Sequence, residues 1–137
     1  MQVKDLMTKD VVTANREMSV AKAAQIMAEK NVGLLVVLDT TEQNVIGVMS
    51  DSDIISKVVA RNLMSRQVMV NEIMNTEVID ISPEKTVSEA ANMMRNHKIK
   101  RLPVIENNKL VGIISSTDII RSIVEMKKAL LNMALEF

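Results

Sequence analysis

Serine and aspartate recur at one spacing in two places, Ser50-x-x-Asp53 and Ser115-x-x-Asp118. Each pair follows a short apolar stretch (Gly47-Val48-Met49 and Gly112-Ile113-Ile114) and enters a helical pattern, so a strand-to-helix junction is expected at both. One reading is a capping box: Ser at the N-cap, Asp at N3, each satisfying the other's backbone N–H and the Asp favoured by the helix dipole. The other reading uses the same geometry for binding. A carboxylate at the end of a strand can accept two hydrogen bonds from a vicinal diol such as that of ribose. The Ser hydroxyl and the free helix N–H groups can take further polar groups. The two readings are compatible.

A second constellation is basic. Arg95, His97, Lys98, Lys100 and Arg101 cluster in a chain that is otherwise balanced, with 17 Lys and Arg against 17 Asp and Glu. Arg95 and Lys98 fit a helix end, where cations complement the C-terminal dipole. Lys100 and Arg101 fall just before a short apolar strand and are candidates for clamping phosphate, Arg by its fork and Lys as a point charge. His97, the single histidine, reads as a helix-end residue rather than a ligand or base.

Other chemistries lack their residues. Without Cys, disulfides, thiolate nucleophiles and zinc–thiolate sites are excluded, which fits a reducing cytoplasm. One His cannot build a multi-His metal site, and Asp51 with Asp53 lack the rest of a calcium loop, so neither metal nor cofactor is expected. Three Gly form no phosphate loop, and no Ser-His-Asp spacing stands out. A single aromatic residue provides no platform for stacking single-stranded bases, and the even charge balance gives no field for duplexes; nucleic acid is not an expected partner. No apolar run approaches the roughly 20 residues of a membrane span, and the N-terminus shows no signal-peptide core, so a cytoplasmic protein without a membrane partner is expected.

The elements that position these residues are written twice. Val3 to Met7 matches Val70 to Met74 at an offset of 74 − 7 = 67, as do Val20, Ala23, Ala24 and Met27 with Val87, Ala90, Ala91 and Met94. Beyond a polar loop at 39–44 the offset becomes 112 − 47 = 65, and Asp53-Ile54-Ile55 falls on Asp118-Ile119-Ile120. Repeat 1 covers 1–66 and repeat 2 covers 67–125. Each spells β-α-β-β-α. The first strands are expected at 11–13 and 78–81. Amphipathic helices follow, capped by Ser19 and Thr86, the latter in a box with Glu89. Strands at 34–38 and 102–105 are apolar throughout and expected to be buried. Strands at 45–49 and 110–114 then lead to helices at 51–60 and 116–133. Units of under sixty residues cannot bury a sheet face alone. The expected fold is therefore α/β (α+β): two tandem copies with pseudo-twofold symmetry, sheets packed face to face, and clefts between the copies. Twelve Met supply adaptable core volume. Residues 126–137 extend the last helix, whose apolar stripe (Ile119, Ile120, Ile123, Val124, Met126, Ala129, Leu130, Met133, Phe137) outlasts the repeat. It either packs on its own domain or forms a dimer contact.

Two tandem copies, each with Gly-h-h-Ser-x-x-Asp entering its last helix, resemble a pair of CBS domains, the Bateman module. His97 to Ile105 and Leu110 to Ile120 carry the resemblance most closely; the first copy has Gly33, Leu34 and Val36 where the second has Lys100, Arg101 and Pro103. The resemblance spans about residues 3–125. It implies that Asp53 and Asp118 hold ribose hydroxyls of an adenosine ligand. It also implies cross-repeat pairing: Ser50, Ser52 and Asp53 with Ile79, Ile81, Ile99, Lys100, Arg101 and Pro103, and Ser115, Thr117 and Asp118 with Val12, Ala14, Val32, Gly33 and Leu34. The second set lacks the phosphate cations, so it is expected to prefer a less charged ligand or stay empty, with Arg121 as a partial substitute. The implied function is a stand-alone, non-enzymatic regulatory sensor of AMP, ADP, ATP or S-adenosylmethionine, a homodimer acting on an unidentified regulated protein. Two alternatives stand beside it. One is a small nucleotide-handling enzyme or a relative of inosine-monophosphate dehydrogenase, although a catalytic barrel alone needs about 250 residues. The other is a structural or transcription-linked interaction module.

Overall fold

The computed structural model describes residues 1–41 and 43–136. Its elements are α1 (Val3–Leu6), β1 (Thr13–Asn15), α2 (Val20–Lys30), β2 (Leu34–Leu38), β3 (Val45–Ser50), α3 (Asp51–Ile54), α4 (Val70–Ile73), α5 (Val87–His97), β4 (Arg101–Glu106), β5 (Lys109–Ser115) and α6 (Ser116–Leu135). A π-helical turn, Ile55–Val59, follows α3, and a 3-10 turn, Ser65–Gln67, precedes α4. The mixed α/β class is as expected from the sequence, and the first copy has the expected β-α-β-β-α order; the second has, among the described residues, no strand ahead of α5.

The packed units do not coincide with the sequence repeats. One unit, which contains Asp53, comprises Asp10–Ile79 with Asn107–Leu110; the other, which contains Asp118, comprises Met1–Lys9, Asp80–Glu106 and the chain from Val111 onward. The segment that opens each repeat thus completes the unit built on the other repeat. Asn75 pairs with Val48 in the first unit, and Thr8 with Ile113 in the second. Gly47 and Gly112 make room for this. A Cβ at Gly47 would lie 2.8 Å from Met74 Sδ and 3.0 Å from the Asn75 carbonyl; at Gly112 it would lie 2.6 Å from Met7 Sδ and 3.0 Å from the Thr8 carbonyl.

In the Asp53 unit, β1 runs parallel to β2 and β2 antiparallel to β3. The expected strand at 11–13 lies two residues later, pairing Thr13, Ala14 and Asn15 with Val36, Val37 and Leu38. Leu35, Val36 and Val37 are fully buried, as the all-apolar strand requires. Val20, Ala23 and Met27 turn the apolar stripe of α2 into the same core as Leu35, Val37 and Met49.

Strands β4 and β5 form a hairpin whose turn residues Asn107 and Asn108 both take positive φ (52° and 63°), as a type I′ turn demands. The expected strand at 78–81 shrinks to one parallel bridge, Ile81 with Val104. The reason is chemical. The Ile81 N–H donates to the Pro103 carbonyl and the Ile105 N–H to the Ile81 carbonyl. Extending the ladder one step earlier needs an N–H at Pro103, and one step later an N–H at Pro83. The chain's only two prolines occupy those two places and have no N–H to give. In the other repeat, Val36 stands where Pro103 does, and its N–H reaches the Val12 carbonyl at 3.4 Å.

The helix expected at 51–60 is α-helical only to Ile54; the next five residues form the π-helical turn, closed by the Ala60 N–H on the Ile55 carbonyl at 2.8 Å. The last helix reaches Leu135 and buries none of its residues fully. Ile119 is half-buried, but Ile120, Ile123, Val124, Met126, Leu130, Leu131, Met133 and Leu135 are exposed, Ile123 and Leu130 at 60% each. Packing on its own domain therefore does not cover the stripe. Phe137, and Glu42 in the loop at 39–44, lie outside the described residues.

Candidate functional site

Both Ser-x-x-Asp pairs fold as capping boxes at strand-to-helix junctions. The Ser50 N–H donates to Asp53 Oδ2 at 2.8 Å and the Asp53 N–H to Ser50 Oγ at 3.2 Å; the Ser50 hydroxyl also reaches Oδ2, at 2.9 Å. Ser115 and Asp118 repeat this at 2.9, 3.2 and 3.0 Å. The first backbone N–H of each helix is fixed by the chain preceding a strand: Asp51 N–H on the Gly33 carbonyl at 3.0 Å, and Ser116 N–H on the Lys100 carbonyl at 2.9 Å. The capping chemistry is thus present twice. It leaves the binding chemistry open, because each carboxylate sits at the mouth of a helix with its N-terminal dipole.

The two carboxylates differ in their surroundings. Asp53 is buried, 9% exposed. The Asn75 side-chain amide donates to both its oxygens, at 3.2 and 3.1 Å, and Lys57 Nζ lies 3.4 Å from Oδ1. Burial by itself pushes the Asp53 carboxyl up. The Ser50 N–H and hydroxyl, the Asn75 amide and the Lys57 ammonium together outweigh it and hold the carboxyl below the ordinary Asp value. Among the described residues, Asp118 Oδ1 meets only Arg121, at 3.7 Å, and the Arg121 side chain is 64% exposed.

The remaining sequence candidates sort by unit. Ala14 and Gly33 share the Asp53 unit with Ser50 and Ser52; Ala14 is buried in β1, and Ser52 is exposed with its hydroxyl 2.9 Å from that of Ser50. Ile81, Ile99, Lys100, Arg101, Pro103 and Arg121 share the Asp118 unit with Ser115 and Thr117. Arg101 opens β4 and is half-buried, and Lys100 just before it is exposed. Arg95 and His97 lie in the last turn of α5, and Lys98 is its left-handed C-cap, as the helix-end reading expects. Sequence reasoning missed Asn75 and Lys57. A signal existed: these two positions break the repeat, which has Thr8 and Ser122 in their places.

Comparison with known proteins places this geometry. The CBS domain family model matches residues 3–60 and 70–125. The CBS domain-containing protein YhcV of Bacillus subtilis is 36% identical over 118 residues, 85% of this chain and 81% of that protein. The CBS domain pair of protein MJ0100, solved with 5′-methylthioadenosine and S-adenosyl-L-methionine, superposes with a TM-score of 0.82 at 29% identity, covering 92% of this chain and 98% of that one. A hexameric CBS-CP12 protein from bloom-forming cyanobacteria superposes with a TM-score of 0.80 at 35% identity, over 88% of this chain and 69% of that one. The family match takes in both Ser-x-x-Asp junctions, and the chain belongs to the CBS domain family.

Proposed function

We infer that the protein is a regulatory ligand-binding module that senses an adenosine-containing small molecule without turning it over, in the cytoplasm. The observation that carries this reading is the Ser-x-x-Asp box found twice at a strand end. Each places a carboxylate and a hydroxyl at the mouth of a helix, where a ribose diol finds acceptors. The adenosine compounds bound by the MJ0100 pair support the ligand class. Asp53 and Asp118 are assigned the ribose hydroxyls, with Ser50, Ser52, Ser115 and Thr117 as polar neighbours. Lys100 and Arg101 are assigned the phosphates of a nucleotide ligand, the role that the family resemblance implies; Arg121 beside Asp118 is the weaker cation.

Self-association is the second part of the proposal. The exposed apolar positions of α6 need cover, and a homodimer would bury each stripe on its twin. The hexamer formed by the CBS-CP12 protein shows that a related chain assembles.

Thermal melting of the purified protein with AMP, ADP, ATP and S-adenosylmethionine tests the ligand class. A ligand that binds only the folded chain adds about 2.7 kcal/mol at a hundredfold excess over its Kd. At least one compound is expected to raise Tm with no product formed. No shift at millimolar excess, or steady turnover, would contradict the sensor.

A further inference from the structure

The Asp53 carboxylate is held far more tightly than its counterpart, and the difference traces to the two positions where the repeats disagree. Asn75 donates its side-chain amide to both Asp53 oxygens. Lys57 approaches Oδ1 from the π-helical turn while donating to the Ile73 carbonyl at 2.8 Å and to Asn75 Oδ1 at 3.2 Å. Asp53, Asn75 and Lys57 therefore close a triangle in which each side chain holds the other two. The backbone fixes Asn75 independently: its N–H donates to the Val48 carbonyl at 2.8 Å, and the Val48 N–H donates back at 3.0 Å. In the other unit Thr8 keeps the same backbone pairing, with Ile113 at 2.8 and 2.9 Å, and the Ser122 hydroxyl turns back to the Ile119 carbonyl at 2.7 Å. Among the described residues, the Asp118 side chain meets only Ser115 and Arg121.

A carboxylate offers about four lone-pair sites. At Asp53 the Ser50 N–H and hydroxyl occupy Oδ2, while at Oδ1 the Asn75 amide, shared with Oδ2, and the Lys57 ammonium at ion-pair distance stand where a diol would donate. A diol cannot add to this arrangement; it must replace part of it. The Ser50 bonds belong to the helix cap, so the replaceable partner is the Asn75 amide, on an exposed residue. We propose that Asn75 and Lys57 form a lock on Asp53, so that a ribose diol binds there only by displacing the Asn75 amide, while Asp118 has no such lock. The proposal rests on the adenosine reading above. Its consequence is a sensor with two thresholds. Exchanging one set of hydrogen bonds for another yields little net free energy. The Asp53 site therefore fills at a higher ligand concentration than its own residues would set, and Asn75 and Lys57 fix by how much.

Calorimetric titration of the full chain with AMP and with S-adenosylmethionine tests this on wild type, Asn75→Ala, Asn75→Thr and the double variant Asn75→Ala/Asp53→Ala. Asn75→Thr installs the residue that the other repeat carries, and both single variants keep the backbone pairing with Val48. Melting of each variant is followed in parallel. Both single variants are expected to bind at least about tenfold tighter at one site, equivalent to about 1.4 kcal/mol. The double variant is expected to lose that gain. Unchanged or weaker binding by folded Asn75→Ala and Asn75→Thr would overturn the lock and make Asn75 a structural or ligand-contacting residue. So would a gain that survives Asp53→Ala. No binding of either compound by wild type and variants alike would overturn the adenosine reading itself, and the lock with it.

Discussion

At the scale of single residues, Asp53 does two jobs with one carboxylate. It caps α3 through the Ser50 N–H and it ties the π-helical turn and the Asn75 segment together through Lys57 and Asn75. Its charge is therefore part of the fold, and this sets a pH dependence. The folded-state pKa lies below the ordinary Asp value of about 3.9. The stabilisation it confers is then fully present above that ordinary value and is lost as pH falls through the folded-state pKa. Urea unfolding of wild type and Asp53→Asn from pH 6 to pH 3 checks this. The stability gap between them is expected to be constant near pH 6 and to narrow below about pH 4. A gap that widens as the pH falls would show that burial, not the hydrogen bonds, governs the carboxyl.

At the scale of elements, the features governed by neighbours in sequence were legible. Ser19, Thr86, Ser50 and Ser115 cap the helices that their spacing announces, because a cap depends on residues three apart. The strand at 78–81 was not legible. Its β-branched residues favour a strand, but the missing donors of Pro83 and Pro103 matter only once the pairing partner is known. The π-helical turn was hidden for a similar reason: 51–60 reads as ordinary helix, and only the structure shows Lys57 turned toward Asp53, Asn75 and the Ile73 carbonyl. The bridge from Val48 to Asn75 is just as non-local, and it depends on Gly47. Gly47→Ala puts a methyl group 3.0 Å from the Asn75 carbonyl, which is backbone and cannot swing aside as Met74 can. A loss of roughly 1–3 kcal/mol is expected, typical of overpacking. Urea unfolding measures it, and an unchanged midpoint would mean that the Asn75 segment shifts without cost.

At the scale of the whole molecule, the repeat was the most legible feature of all, and the family match follows its two copies. The repeats do not delimit the packed units, because the segment that opens each repeat completes the unit built on the other, and no local pattern records that exchange. The exposed stripe of α6 belongs to this scale too. Light scattering at micromolar concentration is expected to give at least twice the 15.2 kDa chain mass, and Leu130→Asp is expected to shift the population toward monomer. A monomer in wild type would contradict the assembly. The central claim is that the two Ser-x-x-Asp boxes bind ligand as well as cap helices, and calorimetry of AMP, ATP and adenosine binding to wild type, Asp53→Ala, Asp118→Ala and Arg101→Ala tests it most directly. Saturable binding is expected in wild type. Asp118→Ala is expected to lose roughly 10- to 100-fold in affinity at one site, the worth of a charged hydrogen bond of about 1.5–3 kcal/mol, and Asp53→Ala to lose less, because a diol there replaces the Asn75 bonds. Arg101→Ala is expected to weaken the nucleotides while sparing adenosine. Unchanged affinity in both Asp variants, with a stability loss of only about 1 kcal/mol each, would show the boxes to be caps alone and contradict the account.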